Sequence, residues 1–334
     1  FTIENLARVN VIAGRNSVGK SALLEAIFLL IGLESIGLTL KISGFRGIRE
    51  FLGEYQSVQE LLWVPLFHNF DVNNKIIITG NLKNSRGKHQ VEFWLQSPEK
   101  LQISEISKEK PTAQKRLAQK YTNPEGITSE FEMGVFDGEL SIRPFPNNPP
   151  FPGFFITARG GAPNHQEEAA LFGKLIKEKR SFNLVEILQN VDRRLISLTT
   201  IQSAGGSMIF GDVGLDQLLP LSLLGDGMGR LSSIVLRIAN APRGIVLIDE
   251  IENGFHYSVL KNVWKVIGEA AKAFDTQLFI TSHSYEAIRA ATEYFQTDKD
   301  FALHRLDRIN NHTEAISYDN DELLAAIEAD FEVR

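Results

Sequence analysis

A glycine-rich loop between an apolar run and an amphipathic segment constrains this chain more than any other feature. Residues 14–21 read GRNSVGKS and match GxxxxGK[ST] at every fixed position. The apolar run Val9–Ala13 predicts a strand before the loop, and a predicted helix starts at Lys20. A strand, a glycine loop and a helix in this order wrap a phosphate in backbone N–H groups at a helix N-terminus. We therefore predict an α/β fold of the P-loop class.

Each residue type of this loop suits one task in holding a nucleotide phosphate. The glycines let the backbone turn its N–H groups inward, Lys20 brings a point charge to the β and γ phosphates, and the Ser21 hydroxyl ligates Mg²⁺. A chance glycine-rich turn is the alternative, and the flanking strand and helix disfavour it. The predicted nucleotide-binding residues are Gly14, Arg15, Asn16, Ser17, Val18, Gly19, Lys20, Ser21 and Ala22.

An apolar run that ends in two carboxylates supplies a second element of the predicted site. Residues 244–250 read GIVLIDE. At the end of a strand, Asp249 would coordinate Mg²⁺ directly or through water, and Glu250 would polarise an attacking water. Acidic residues also cap strands without a catalytic role, but a phosphate loop in the same chain favours the catalytic interpretation. Paired carboxylates favour hydrolysis over transfer to a small substrate.

Two further segments place chemistry at the ends of predicted elements. Residues 280–284 read ITSHS, and His283 after the predicted strand would reach the γ-phosphate, with a helix cap and an incidental surface histidine as the alternative. Residues 220–231 form a tight glycine turn before an apolar helix, where Gly225, Asp226 and Gly227 are a second predicted anion site. A simple loop-to-helix junction is the alternative for that turn.

Secondary-structure patterns suggest two kinds of sheet. In the last third of the chain, strands alternate with helices, which predicts a mainly parallel sheet covered by helices. Those helices are predicted at Leu231–Ala239, Val259–Phe274 and Tyr285–Phe295, and the strands at Gly244–Ile248 and Leu278–Thr281. Earlier segments are predicted as an antiparallel pair at Lys75–Thr79 and Val91–Leu95, a charged surface helix at Lys108–Lys120, a strand at Phe154–Thr157 and helices within 166–197.

The order and spacing of these motifs resemble ATP-binding-cassette (ABC)-type ATPases, in the non-transporter branch that contains RecF, SMC and OLD-type proteins. The resemblance covers residues 9–31 and 220–290 well and the middle of the chain loosely. It identifies the Walker A loop at 14–21, Walker B with its catalytic glutamate at 246–250, the switch histidine at His283, the signature motif at 224–231 and the D-loop at 253–256.

This resemblance implies an ABC-type head with a mainly parallel sheet, an antiparallel β lobe and an inserted helical subdomain. The long separation of Lys20 from Asp249 suits such an insertion. The predicted parts are residues 1–104 with the Walker A loop and the β lobe, residues 105–204 as the inserted, partly helical lobe, and residues 205–334 with the signature, Walker B and the switch histidine.

The resemblance also implies an activity, its cofactors and its partners. The activity is ATP hydrolysis with ATP and Mg²⁺ bound. Two copies would form a homodimer around two ATP·Mg²⁺, with the segment around Gly227 of one subunit closing on residues 14–21 of the other. Hydrolysis would then drive DNA or a separate effector protein such as a nuclease, in DNA maintenance or antiviral defence. The implied catalytic residues are Lys20, Glu250 and His283, and the implied metal ligands are Ser21 and Asp249.

This sequence departs from the group's pattern in several places. Gly225 stands where the group often has serine, and His256 stands where transporters have the D-loop aspartate, as is common in OLD-like members. Gln56, Gln59 and Gln90 are all candidates for the Q-loop glutamine. No long heptad region for a coiled coil is present. The stretch after the switch histidine is too short for the Toprim nuclease of full OLD proteins, so a stand-alone ATPase is expected.

Composition limits the partners and the chemistry. With 35 basic and 41 acidic side chains the formal charge is −6, which excludes a uniformly basic nucleic-acid binder. The absence of cysteine excludes thiolate metal sites and cysteine nucleophiles and fits a cytoplasmic protein. No apolar run indicates a membrane span. A local basic stretch leaves DNA contact open, although a solvated helix face is favoured; it contains Lys174, Lys177, Lys179, Arg180, Arg193 and Arg194.

Two other functions share the phosphate loop. A small-molecule or nucleotide kinase would not need the Gly225–Gly227 segment or His283, and would build an acceptor site from the middle of the chain. A non-hydrolysing ATP-dependent scaffold is a third possibility, and the intact Glu250 argues against it. A GTPase is disfavoured because the chain has no NKxD motif.

Overall fold

The structure is a computed structural model that describes residues 1–47, 62–82, 87–96, 115–136, 139–158, 164–203, 205–296, 298–310, 312–318, 322–323 and 325. The chain forms two compact units, one built from Phe1–Leu24 with Phe151–Arg334, the other from Glu25–Pro150. The second unit is therefore an insertion in the first along the chain. The predicted part boundaries after residues 104 and 204 lie outside the described residues, so the three predicted parts remain predictions.

The described strands and α-helices follow the predicted alternation in the last third of the chain. The strands are β1 (Val9–Ala13), β2 (Ile76–Asn81), β3 (Lys88–Gln96), β4 (Arg116–Thr122), β5 (Thr128–Phe136), β6 (Glu139–Arg143), β7 (Gly153–Ile156), β8 (Ser197–Ser203), β9 (Gly206–Asp212), β10 (Leu219–Pro220), β11 (Ile245–Ile248), β12 (Gln277–Thr281), β13 (Phe301–Ile309) and β14 (His312–Tyr318). The helices are α1 (Lys20–Ile31), α2 (Leu38–Phe45), α3 (His165–Lys177), α4 (Ser181–Gln189), α5 (Asp226–Ala239), α6 (Leu260–Ala273) and α7 (Tyr285–Phe295).

A six-stranded sheet organises the first unit, in the order β14-β13-β1-β12-β11-β7. All neighbouring pairs are parallel except β13 with β14. The register places Ile12 beside Thr281 and Ile248 beside Ile280, so β1, β11 and β12 end at the same edge. This confirms the predicted mainly parallel sheet, and the loops after these three strands share its carboxyl edge, where ligands bind in open α/β sheets.

Burial explains why these short apolar runs form central strands. All five residues of β1 are buried, as expected for parallel strands, which read as continuous apolar runs. The strands share one apolar core with α5, α6 and α7. Trp264 of α6 is fully buried there and donates its indole N–H to the carbonyl of Ala287 at 2.9 Å, so its polar atom is satisfied within the core. None of the helices in the described part of the chain is long and apolar enough to cross a bilayer.

A small antiparallel sheet and two helices complete the first unit. Its strand order is β10-β9-β8. The helical rhythm predicted within residues 166–197 is confirmed as α3 and α4, and the chain then turns into β8. The α3 N-terminus is capped by Asn164, whose side chain accepts from the backbone N–H of Glu167 at 3.1 Å. Buried residues of α3 and α4, among them Phe172 and Leu188, extend the same core.

The second unit contains a five-stranded antiparallel sheet in the order β2-β3-β4-β5-β6. The predicted antiparallel pair is confirmed as β2 and β3. The surface helix predicted at Lys108–Lys120 is wrong where it can be compared, because β4 begins at Arg116; residues 108–114 lie outside the described residues. The charged side chains that suggested a helix pair across strands instead, Arg116 with Glu132 at 3.1 Å and Lys120 with Glu130 at 3.8 Å.

A buried histidine in the first unit makes stability depend on pH. His304 of β13 is fully buried, with Nδ1 2.8 Å from Ser317 Oγ, and burial lowers the pKa of His304 to about 4. The histidine pKa in the unfolded chain is about 6.5. Below that pH the imidazole is protonated in the unfolded chain but stays neutral in the folded chain. The free energy of unfolding therefore falls as pH decreases from about 6.5 towards 4.

The expected loss from His304 is about 3 kcal/mol across this window. Urea denaturation at several pH values should show it, with His304→Gln as the comparison because glutamine fills a similar volume and does not titrate. Carboxylates contribute equally to the pH dependence of both proteins. The free energy of unfolding of the wild type should therefore fall more steeply between pH 6.5 and 4 than that of His304→Gln. Parallel curves would contradict the prediction.

Candidate functional site

The phosphate loop runs from the end of β1 to the start of α1, and its backbone requires glycine. Gly14 has φ +142°, and a Cβ there would lie 2.6 Å from the Leu306 carbonyl oxygen and 3.0 Å from Val18 Cγ2. Gly19 has φ +106°, and a Cβ there would have no atom within 4 Å. Both values lie where L side chains are rare. Backbone conformation therefore requires glycine at both positions, and close packing requires it at Gly14 as well.

Lys20 points its ammonium back into this loop. Its Nζ donates to the carbonyl oxygens of Gly14 at 2.6 Å and Arg15 at 2.9 Å, and only 8% of the residue is exposed. Burial lowers the pKa of Lys20, and the negative charges of Glu250, Glu252 and Asp249 oppose that shift. The loop thus holds a buried cation, and binding of a phosphate by Lys20 stays a prediction.

Ser21 and Asp249 meet as predicted for a pair that shares a metal ion. Ser21 Oγ donates to Asp249 Oδ2 at 2.9 Å, and Thr281 Oγ1 donates to Asp249 Oδ1 at 2.6 Å. In the described ranges, no three His, Asp or Glu side chains cluster closely enough to hold a metal without other ligands. Mg²⁺ is usually held by one or two protein oxygens together with substrate phosphates, and the hydroxyl and carboxylate here fit that donor set.

Glu250 adopts a strained backbone conformation and is held at three points. Its φ is +50°, which is uncommon for a residue with a side chain. Its N–H donates to Thr281 Oγ1 at 2.8 Å, its carbonyl accepts from Arg230 Nη2 at 3.2 Å, and its Oε2 accepts from Asn253 Nδ2 at 2.8 Å. Such contacts are the support that a strained functional residue needs. They fix both the backbone and the carboxylate of the predicted general base.

His283 lies beside two carboxylates after β12. Its Nδ1 is 3.9 Å from Glu250 Oε1 and 3.0 Å from Glu252 Oε1, and 42% of its side chain is exposed. The structure therefore brings His283 to Glu250, as predicted. The sequence reasoning missed Thr281, which lies within the segment 280–284, and Glu252, which lies between the segments 246–250 and 253–256, because a motif pattern does not show which neighbour of a catalytic residue will face it.

The predicted signature segment lies next to the loop that follows β11. Gly225 has φ +116° and precedes α5. A Cβ at Gly227 would lie 3.7 Å from Phe255, and Arg230 on the same helix reaches Glu250. These contacts join the segment to Phe255 and to the backbone carbonyl of Glu250 in its own chain. Its role in capping the nucleotide of a second subunit stays a prediction, as does the role of Asp226.

The remaining predicted positions divide between described and undescribed residues. In the phosphate loop, Arg15, Asn16 and Ser17 are exposed and Val18 is buried. Gln90 lies in β3, where its amide donates to Glu92 at 3.0 Å. The other two Q-loop candidates, at positions 56 and 59, lie outside the described residues. The exposed loop residues are the ones that solvent, and so a ligand, can reach.

Comparisons with known proteins identify the family of this chain. A family model described as "AAA domain, putative AbiEii toxin, Type IV TA system" matches residues 9–289. A Helicobacter pylori protein named "ATP/GTP phosphatase" is 25% identical over 334 residues, spanning 90% of this chain and 85% of that protein.

Among solved structures, an Smc head bound to the C-terminal winged-helix domain of ScpA is similar, with a TM-score of 0.46 and 14% identity over 97% of this chain and 93% of that chain. The Pyrococcus furiosus Smc head with an extended coiled coil, bound to the C-terminal domain of ScpA, has a TM-score of 0.45 and 12% identity over 98% of this chain and 94% of that one.

Proposed function

From the membership of this chain in that family of AAA domains, and from its identity as a P-loop ATPase, we propose that it is an ATP-driven switch. In this switch two copies close around two ATP·Mg²⁺, and hydrolysis releases the two copies. The observation that carries the proposal is the meeting of the motif residues at the carboxyl edge of one parallel sheet. Ser21 lies 2.9 Å from Asp249, and His283 lies 3.9 Å from Glu250. The charges of Asp249 and Glu250 also act on Lys20.

The proposal gives each of these side chains a task. Lys20 and the loop N–H groups hold the β and γ phosphates, where positive charge stabilises the transition state of phosphoryl transfer. Glu250, fixed by its three contacts, accepts a proton from the attacking water. His283, whose Nδ1 lies 3.9 Å from Glu250 Oε1, would contact the γ-phosphate of the bound nucleotide. Mg²⁺, held by Ser21 and Asp249, would neutralise charge on the phosphate oxygens when it is bound.

Exposed apolar side chains support closure of two copies. Leu223, directly before the predicted signature motif, is 70% exposed, and Tyr257, directly after the predicted D-loop, is 68% exposed. Contact surfaces between proteins are enriched in such aromatic and apolar groups. We propose that a second copy covers both when its loop 14–21 docks its nucleotide against Gly225–Gly227.

The conformational change of the switch is proposed to act on a separate effector protein, such as a nuclease in antiviral defence, within the cytoplasm.

The basic stretch between Lys174 and Arg194 gives less support to direct DNA contact, because two of its arginines already have acidic partners. Arg180 lies 3.0 Å from Glu178, and Arg194 lies 2.8 Å from Asp192. Arg180 lies in the turn between α3 and α4, and Arg194 lies between α4 and β8, so local ion pairs outside the helices account for both charges.

Release of phosphate from ATP without an added acceptor separates this proposal from the kinase alternative. The full chain with Mg²⁺ should release phosphate, and Lys20→Ala should lower the rate to background because the phosphates lose their buried cation. Lys265→Ala, which removes a 43% exposed lysine that pairs with Glu269 on α6, is the matched control and should keep the wild-type rate. Dependence of phosphate transfer on a small acceptor, or hydrolysis that survives in Lys20→Ala, would contradict the proposal.

A further inference from the structure

A single hydroxyl joins the two acidic residues that follow β11. Thr281 is the last residue of β12 and is fully buried. Its Oγ1 lies 2.6 Å from Asp249 Oδ1 and 2.8 Å from the backbone nitrogen of Glu250. Its carbonyl oxygen also accepts from the N–H of Ile251 at 3.1 Å. Three consecutive residues after β11 are therefore bound to this one threonine.

The neighbours of this hydroxyl fix the direction of both hydrogen bonds. The backbone N–H of Glu250 can only donate, so Thr281 Oγ1 accepts there. An ionised carboxylate can only accept, so the one proton of the hydroxyl goes to Asp249. Both bonds need an oxygen that donates and accepts at once. Valine has the same shape as threonine but can make neither bond.

The bond to Asp249 engages one of its two oxygens and orients the other. Thr281 donates to Oδ1, whereas Oδ2 is the oxygen that Ser21 Oγ approaches more closely, at 2.9 Å against 3.2 Å for Oδ1. Asp249 is buried, so little water competes for either oxygen. Hydrogen bonds to a ligating carboxylate fix its orientation, and their loss usually costs about 10–100-fold in metal affinity or activity. The orientation of Asp249 towards Ser21 thus depends on the Thr281 hydroxyl.

The bond to Glu250 supports a backbone conformation that residues with a side chain rarely adopt. Glu250 has φ +50°, and such a conformation persists only where the surrounding structure holds it. Its N–H is held by Thr281, and its carbonyl is held by Arg230 at 3.2 Å. Loss of the first contact lets φ move towards the common negative range, which turns the side chain. The orientation of the predicted general base therefore depends on the same hydroxyl as that of Asp249.

We propose that Thr281 is a positioning residue that aligns the metal ligand with the general base through one hydroxyl. It orients Asp249 towards Ser21 and holds Glu250 at its strained φ, so metal affinity and proton transfer depend on the same atom. Neither task requires Thr281 to touch the nucleotide. This inference rests on the proposed function of the site, in which Asp249 ligates Mg²⁺ and Glu250 accepts a proton from water.

Thr281→Val tests the metal affinity, because it removes the hydroxyl and keeps the shape of the side chain. Mn²⁺ binds the same oxygen ligands as Mg²⁺. Electron paramagnetic resonance of Mn²⁺, titrated into an excess of the full chain with a bound non-hydrolysable ATP analogue, measures this affinity without turnover. We expect the Kd for Mn²⁺ to rise about 10–100-fold. The Kd for the analogue in EDTA should stay at its wild-type value, because Lys20 and the phosphate loop are unchanged.

The rate of ATP hydrolysis at saturating Mg²⁺ separates the second task from the first. If Thr281 oriented only the metal ligand, excess Mg²⁺ would restore the wild-type kcat in Thr281→Val. Because Glu250 also loses a contact, we expect kcat to stay about tenfold below the wild type. Thr281→Ser keeps the oxygen and should recover both the Mn²⁺ affinity and the rate.

Thr276→Val is the matched control. Thr276 lies directly before β12 and is fully buried, and its hydroxyl also makes two close contacts, with the carbonyl oxygens of Ile238 at 3.0 Å and Ala241 at 2.9 Å. The same chemical change is thus made at the opposite end of the strand. It should leave the Mn²⁺ affinity and kcat unchanged even where it lowers Tm.

A double variant tests whether Thr281 acts on the metal through Asp249. Asp249→Asn alone should weaken Mn²⁺ binding, because it removes the charge of the ligand. If Thr281 affects the metal only by orienting this ligand, adding Thr281→Val causes no further loss of Mn²⁺ affinity. Losses that multiply would show a separate path from Thr281 to the metal and would overturn the proposal.

The outcomes separate this inference from the proposed function. A wild-type chain without Lys20-dependent hydrolysis, or without Mn²⁺ binding beside the analogue, overturns both. An active wild type with Thr281→Val equal to it in Mn²⁺ affinity and kcat overturns the inference alone. A fall in Tm with both values unchanged assigns Thr281 a structural role only and also overturns it.

Thr281→Ala replaces Thr281→Val if the valine variant does not fold. Alanine leaves room for water beside the carboxylate and the N–H, which lowers the cost of the missing hydroxyl in the folded chain. A mobile water does not fix the two groups, so the same losses of Mn²⁺ affinity and kcat are expected. Wild-type values in Thr281→Ala overturn the inference.

Discussion

Replacing Glu250 by glutamine is expected to lower kcat for ATP hydrolysis about 10³-fold, because a positioned general base contributes 10²–10⁴-fold to such a step. Glutamine keeps the size of the side chain and an oxygen for the Asn253 amide, which donates to Glu250 at 2.8 Å in the wild type. It removes only the ability to take a proton from water. ATP affinity should therefore change little, and the loss should appear in kcat rather than in KM.

The same variant should hold the two subunits together. If hydrolysis releases the dimer, Glu250→Gln with ATP and Mg²⁺ accumulates the closed form, and light scattering should report twice the monomer mass. Adding Lys20→Ala to this variant removes phosphate binding and should return the mass to that found without nucleotide. A mass that ignores ATP in Glu250→Gln, at monomer size, would refute the capping role proposed for Gly225–Gly227.

Gly14→Ala is expected to destabilise the first unit by about 3 kcal/mol, from strain at φ +142° combined with overpacking. The new methyl group would meet the Leu306 carbonyl oxygen at 2.6 Å, and a backbone atom of a central strand has little freedom to move. Nucleotide binding should fall as well, because relief of this contact displaces the start of the phosphate loop.

Gly19→Ala is the matched control for this packing effect. It lies in the same loop at φ +106°, but nothing lies within 4 Å of the position of its Cβ. Conformational strain alone should cost about 1 kcal/mol. Urea denaturation should therefore give a free energy of unfolding for Gly14→Ala that is well below that of Gly19→Ala. Equal losses would mean that β13 gives way at Leu306 and that close packing is not what requires glycine at position 14.

Local patterns were sufficient for the elements that carry the motifs. The helix predicted at Tyr285–Phe295 has the same bounds as α7, and the strand predicted at Val9–Ala13 is β1. α7 could be predicted because its buried residues recur with the period of a helix, and β1 because its buried residues form one continuous apolar run. The strand β4, which begins within the segment Lys108–Lys120, could not be predicted in this way. Its charges suit a helix surface equally well, and only β3 and β5 on either side turn them into cross-strand partners.

The sequence by itself determined the chemistry of this protein, and the tertiary structure decided its geometry. GRNSVGKS requires a phosphate loop because glycine conformations, a lysine charge and a serine hydroxyl are local properties of consecutive residues. Which groups surround them depends on strand order. Because β12 lies between β1 and β11, it places Thr281 on Asp249 and His283 on Glu252. Contacts between residues that are distant in sequence form only when the chain folds, so no motif contains them.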